Sequence, residues 1–182
     1  MKMIFVNVFL IVFFVACKKT IKLSFVDEFI LKNSIQFKNT LIGGLSGIDY
    51  NKGEYYMVID DGDLPRIVTA NININKDTIS SVNFTDVIHL KDSIPFFKNN
   101  ALDLESVFID ENNQINLTSE GSIKNGKNPV IFTVDKQGFF IDSYSLPEYF
   151  KANSYSKPMH NATFEASCKG IDGKGFWVGM EG

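Results

Sequence analysis

The 182 residues contain one tryptophan, two cysteines and two histidines. Two cysteines allow at most one disulfide, so no cystine framework holds the fold, and an apolar core must do so. The few Cys and His residues show no ligand spacing of the kind zinc requires. No Gly-x-Ser-x-Gly stretch occurs, and Ser106, Ser119 and Ser122 lack a visible His–acid arrangement, so a serine-nucleophile hydrolase is unsupported. There is no basic surplus: 18 Lys+Arg stand against 21 Asp+Glu, a net charge of −3, which gives no footprint for nucleic acid. A sustained 3.6-residue apolar period is also missing. Only Leu-Pro-Glu-Tyr-Phe at 146–150 reads as a single helical turn, with Pro147 at an early position where its missing N–H costs nothing.

What remains is rich in strand formers. Hydrophobic residues make up 45% of the chain, with 17 Phe, and they fall in short alternating runs separated by Gly, Asn and Asp. One outline recurs three times: strand, polar turn, strand, acid, glycine. It reads LSGIDYNKGEYYMVIDDG at 45–62, LDLESVFIDENNQINLTSEGS at 102–122 and FEASCKGIDGKGFWVGMEG at 164–182. Leu45 and Leu104 are 59 positions apart, and Leu104 and Phe164 are 60 apart. A period of this size sets the architecture.

The first repeat continues with RIVTANI and ISSVNFTDVIHL, and the second with VIFTVD and FFIDSYSL, so each unit holds four strands. The expectation is an all-β protein, a β-propeller of four-stranded antiparallel blades, with about two and a half blades present. A β-sandwich with accidental similarity is the alternative, and three outlines in register favour the propeller. A closed ring needs at least four blades, so the chain is expected to be the N-terminal part of a longer protein. Residues 21–37, where Ile21, Leu23 and Phe25 alternate with polar partners, are expected to form the outer strand of the final blade.

Residues 1–16 are expected to be a signal peptide and 17–182 the propeller domain. Met1-Lys2-Met3 is a short positive start, followed by an apolar run of the length of a signal-peptide core. The run ends in Phe14-Val15-Ala16-Cys17, which resembles the bacterial lipobox, with Phe14 in place of the usual Leu. That resemblance implies lipidation of Cys17, export and a lipid-anchored place at the cell envelope. Cys168 is then the single remaining thiol, and its strand-like surroundings predict a buried, structural one.

The repeat sets acids at two equivalent places. Glu105 and Glu165 match Ser46 of the first unit, and Asp61, Glu120 and Glu181 each directly precede a glycine. In a propeller such positions converge on the channel mouth, where like charges need a compensating cation, an arginine or shared protons. Carboxylate and carbonyl oxygens suit Ca²⁺. The expected metal ligands are therefore Asp61, Glu105, Glu120, Glu165 and Glu181. Turn residues and surface charges are the plainer account of the same acids.

GGLSGIDY, IDDGDLPRIVTANI, ALDLESVFID with TSEGS, and NATFEAS with GFWVGMEG resemble the phytase-like propellers, the family described by an esterase-like activity of phytase. The segments DLES, SEGS and FEA carry the likeness, which runs from about residue 41 to the end. Met159-His160-Asn161 stands where that pattern often has an arginine, and the denser aspartate clusters of calcium-dependent phytases are missing. The resemblance implies an exported propeller with metal-dependent phosphoester or carboxyl-ester hydrolase ancestry. Within it, Glu105 and Glu165 are expected to ligate the metal or position water. His160, in a polar loop just before the third unit, reads either as a plain loop histidine or as a general acid or base at the channel mouth. Arg66, after the acidic turn, reads as a surface arginine at a strand start, as the partner of a channel acid or as a holder of a substrate phosphate. The expected partner is a small ester or phosphoester, with membrane contact through the N-terminal lipid alone and a monomer at full length. A non-catalytic cell-surface module with structural Ca²⁺, or a lactonase-type propeller, are the other readings. His89 is expected to be structural or exposed.

Overall fold

The computed structural model describes residues 21–90 and 95–181. The expected signal segment and Cys17 lie outside the described residues. Twelve strands form, in chain order, β1 (Ile35–Phe37), β2 (Thr40–Ile42), β3 (Leu45–Asn51), β4 (Glu54–Ile59), β5 (Arg66–Asn75), β6 (Thr78–His89), β7 (Leu104–Ile109), β8 (Ile115–Ser119), β9 (Val130–Val134), β10 (Phe140–Ser143), β11 (Phe164–Lys169) and β12 (Phe176–Met180). A short helix, α1 (Pro95–Asn99), joins the first unit to the second. A 3-10 turn at Glu148–Phe150 follows Pro147, where the sequence predicts a helical turn. Among the described residues no helix is long and apolar enough to cross a membrane.

Strands β3-β4-β5-β6 make one antiparallel sheet, β7-β8-β9-β10 a second, and β11-β12 a third, two-stranded unit. These are the blades the sequence repeat predicts, two complete and one begun, in an incomplete propeller. Local turn chemistry closes each meander. Lys52 (φ 51°) and Gly53 (φ 96°) both take positive φ. That is the two-residue type I′ geometry that suits a twisted hairpin. In the second blade the Asp110 side chain accepts from the backbone N–H groups of Asn112 and Gln114. Asp135 does the same for Gln137 and Phe139. Such Asx turns hold a hairpin through the side chain of its first residue.

The blades pack face to face. Along β4, Tyr56 and Val58 point into the core shared with Leu104, Val107, Leu117 and Phe132 of the second blade. Met57 and Ile59 alternate to the opposite face, with Val68 and Ala70. Both faces of β4 are therefore covered, which explains its nearly continuous apolar spelling. Phe176 of the third unit meets Phe108 and Tyr144 of the second.

Two expectations are corrected here. Residues 21–34 carry no strand, and the alternating side chains Leu23 and Phe25 are 95% and 80% exposed. An alternating pattern becomes a strand only where a neighbouring strand takes up its backbone groups, and no described strand pairs with this segment. A β1–β2 hairpin forms instead, and Leu31, Ile35, Phe37 and Ile42 cover the outer face of the first blade. Cys168 is also exposed rather than buried. It pairs across the sheet with Trp177, itself 72% exposed. The β11-β12 unit buries its Phe176 side against the second blade, and alternation sends Cys168 and Trp177 to the other side.

Candidate functional site

The three units superpose by strand register, and the register decides which acids are equivalent. Leu45 pairs with Ile59, Leu104 with Ser119, and Phe164 with Met180. After each of these pairs the ladder slips by one residue on the inner strand, leaving Ser46, Glu105 and Glu165 unpaired as bulges. A bulge re-aims the side chain it carries. The residue after each second strand donates its backbone N–H to the residue before each first strand. Asp60 N bonds Gly44 O at 2.8 Å, Glu120 N bonds Asp103 O at 3.2 Å, and Glu181 N bonds Thr163 O at 3.2 Å.

Asp60, not Asp61, is thus the counterpart of Glu120 and Glu181. Counting back from the glycine misaligns the first unit by one residue, because its turn carries one more residue before Gly62. Asp61 faces another way. Its Oδ2 accepts from Arg66 Nη1 at 2.6 Å. Leu64 N donates to its Oδ1 at 3.2 Å. The hydrogen bond from Arg66, outweighing a small effect of burial, holds the Asp61 carboxyl below its usual range.

Arg66 is 3% exposed. Its Nη1 also donates to Leu64 O at 2.6 Å, and Nη2 donates to Leu41 O at 2.9 Å. Nε is buried and has no partner among the described residues. Arg66 therefore ties the acidic turn to β2 and to the start of β5, with no donor presented at the surface.

The acids that do converge come from two blades. One carboxylate oxygen from each of Asp60, Asp103 and Glu105 lies within 4.8 Å of the other two. Asp103 and Glu105 are two apart on the chain entering β7, so they lean to one side, and Asp60 reaches them from the first blade. Burial, then the charges of Asp60, Glu165, Asp103 and Glu120, push the Glu105 carboxyl up to about 8. Burial, then a hydrogen bond to Asp60 and the charges of Asp60, Glu120 and Asp61, push Asp103 up to about 7. Glu120 and Glu165 are raised as well, by burial first and then by neighbouring acids. Glu120 is 5% exposed, and its Oε2 has no hydrogen-bond partner among the described residues. Glu181 is exposed at the end of β12 and adds its charge to both Glu120 and Glu165.

Beside the cluster lies a cleft of about 350 Å³, whose walls include Gly62, Asp103, Glu120, Ser122, Lys127 and His160. His160 is exposed and lines the same cleft as Asp103 and Glu120. Lys127 is anchored by a hydrogen bond from Nζ to Asn99 O at 2.8 Å. His89 is exposed on the wall of a separate cavity with Leu64, Phe97 and Leu102.

Chemically, the cluster is an all-oxygen, anionic donor set assembled before any ligand arrives. Such a set either retains protons, as the raised carboxyls do, or takes a hard cation. Three carboxylate oxygens within 4.8 Å of one another suit the second case, because a hard cation takes oxygen ligands at this spacing. Sequence reasoning missed Asp60 and Asp103. The signal for Asp103 was present in Leu-Asp-Leu-Glu, two acids at strand spacing. Asp60 would have emerged from matching hairpins strand to strand instead of glycine to glycine.

Residues 40–182 match the family model described as "Phytase-like: Esterase-like activity of phytase". No curated protein and no solved structure matches the chain.

Proposed function

The chain belongs to the phytase-like family, a hydrolase-type propeller domain, and from that premise we propose that it is a cation-dependent hydrolase of phosphate or related esters. The observation that carries this reading is the meeting of Asp60, Asp103 and Glu105 across a blade junction. Ca²⁺ is the proposed cation, held by those three carboxylates. When bound, it would supply neutralisation of substrate charge and activation of water.

The chain's own residues do the rest. Asp61, held by Arg66, fixes the turn that presents Asp60. Glu105 and Glu165, each on a bulge, face the channel mouth and orient water. Glu120 and Glu181 complete the acidic rim. His160, which lines the cleft, would give a proton to a departing alkoxide. Lys127, on the same wall, favours an anionic substrate. Arg66 supports substrate binding through the shape of the turn, because its guanidinium is already committed to Asp61, Leu64 and Leu41. Export and anchoring through lipidated Cys17 are part of the same proposal, with the cell envelope as its location.

A screen over phosphate esters, carboxyl esters and lactones, with Ca²⁺ and with a chelator, tests the reading. Turnover that requires Ca²⁺ and falls in Glu105→Gln supports it. Ca²⁺ binding without turnover of any ester would instead favour a non-catalytic cell-surface module, and turnover confined to lactones would favour the lactonase reading.

A further inference from the structure

We propose a second cation site at the junction between the second and third blades, formed by Glu120, Thr163 and Glu165. The inference rests on the reading of the first cluster as a cation site and extends it. That cluster has a simple composition in terms of the repeat. The acid after the second strand of one blade (Asp60) meets the residue before the next blade's first strand (Asp103) and that strand's bulge (Glu105). Moving one blade along, the same three backbone positions are Glu120, Thr163 and Glu165.

The junction is built in the same way as the first. Glu120 N bonds Asp103 O and Glu181 N bonds Thr163 O, so both rims close with the same backbone contact. Thr163, 1% exposed, donates its hydroxyl to Glu120 O at 3.1 Å and so links the two blades at the site itself. Independent of this symmetry is the state of Glu120. Its side chain is nine-tenths or more buried, and no described group donates to Oε2. The groups whose charges act on it are Glu165, Asp60 and Glu181, all acids. A buried carboxylate oxygen without a donor, among other carboxylates, is suited to ligate a cation.

The two sites are unequal. The first has three carboxylates. In the second, Thr163 stands where the first has Asp103, leaving two carboxylates and a neutral hydroxyl oxygen. Affinity for Ca²⁺ follows the number of charged ligands, so the second site is the weaker. The acid at the position before the strand is what tells the two apart.

Titration of Ca²⁺ into the full chain, followed by calorimetry, tests the proposal. Two binding events of different affinity are expected. Glu105→Gln removes the tighter event, and Glu165→Gln removes the weaker. Thr163→Asp, which restores the missing acid, tightens the weaker event at least tenfold. Should Thr163→Asp fail to fold, Glu165→Gln alone still decides the matter. A single event lost in Glu105→Gln overturns the second site and leaves the proposed hydrolase standing. Absence of any Ca²⁺ binding overturns both. Two events without ester turnover support the second site while removing the hydrolase.

Discussion

A carboxylate oxygen of Asp103, on the chain entering the second blade, lies within 4.8 Å of one from Asp60 on the first. Two charges this close repel, and burial together with Asp60 raises Asp103 to about 7. Without a cation, a proton kept at Asp103 is what relieves the repulsion across the junction.

This gives the pH dependence of the cation-free protein. Unfolded Asp and Glu release their protons near pH 4. Folded Asp103 and Glu105 retain theirs to about 7 and about 8. Between those limits the folded state binds more protons, so its stability falls as pH rises. Thermal melts from pH 5 to pH 8.5 are expected to show a falling Tm without Ca²⁺. Excess Ca²⁺ flattens that fall, and its binding at pH 7 releases protons measurable in a lightly buffered solution.

Asp61→Asn separates a brace from a ligand. Arg66 is buried and Asp61 is its ion-pair partner. Asp61 is about one-third exposed and Arg66 keeps its two backbone acceptors, so removing the carboxylate is expected to cost about 1–2 kcal/mol. At this chain length that is a fall of about 5 °C in Tm. The fall should be present without Ca²⁺. If Asp61 were instead a metal ligand, the cation-free melt would be unchanged and only Ca²⁺ affinity would drop.

Gly47 marks the closest approach of the inner strands. A Cβ there would lie 2.7 Å from Ser106 Cα and 2.8 Å from Glu105 O. Both contacts are backbone, so β3 and β7 must part to admit a methyl group. Gly47→Ala is expected to cost about 1–3 kcal/mol. Because Glu105 sits at the contact, the tighter Ca²⁺ event should weaken as well, which paired melts and calorimetry can check.

Glu120→Gln should raise the Tm of the cation-free protein at pH 8, since it removes a buried charge among acids. The same variant should lose the stabilisation that Ca²⁺ gives through the weaker site. Differential scanning fluorimetry with and without Ca²⁺ reads both effects.

The blades were legible because their signals are local. Hairpin turns such as Asn51-Lys52-Gly53 and the alternation of β4 depend on neighbours in sequence, and the observed strands match them closely. The acids at Glu105 and Glu165 were legible for the same reason, as members of a repeat. What was not legible depends on partners far along the chain. Asp60 and Asp61 are adjacent and chemically identical, and only the position of Arg66 and the slip after Leu45 send one inward and the other to a brace. Ile21, Leu23 and Phe25 spell a strand, but no described strand pairs with them. Cys168 reads as core until the sheet's second face is found uncovered.

The slip after each inner strand's first pair has a consequence for how such a chain can change. A bulged residue takes no part in cross-strand pairing, so its side chain can be exchanged without disturbing the ladder on either side. Ser46, Glu105 and Glu165 occupy that one backbone position in three blades, two charged and one neutral. The fold thus offers a socket in every repeat whose occupant is chosen separately from the scaffold. A new ligand preference would need only a letter changed at each socket, with the sheets left as they stand.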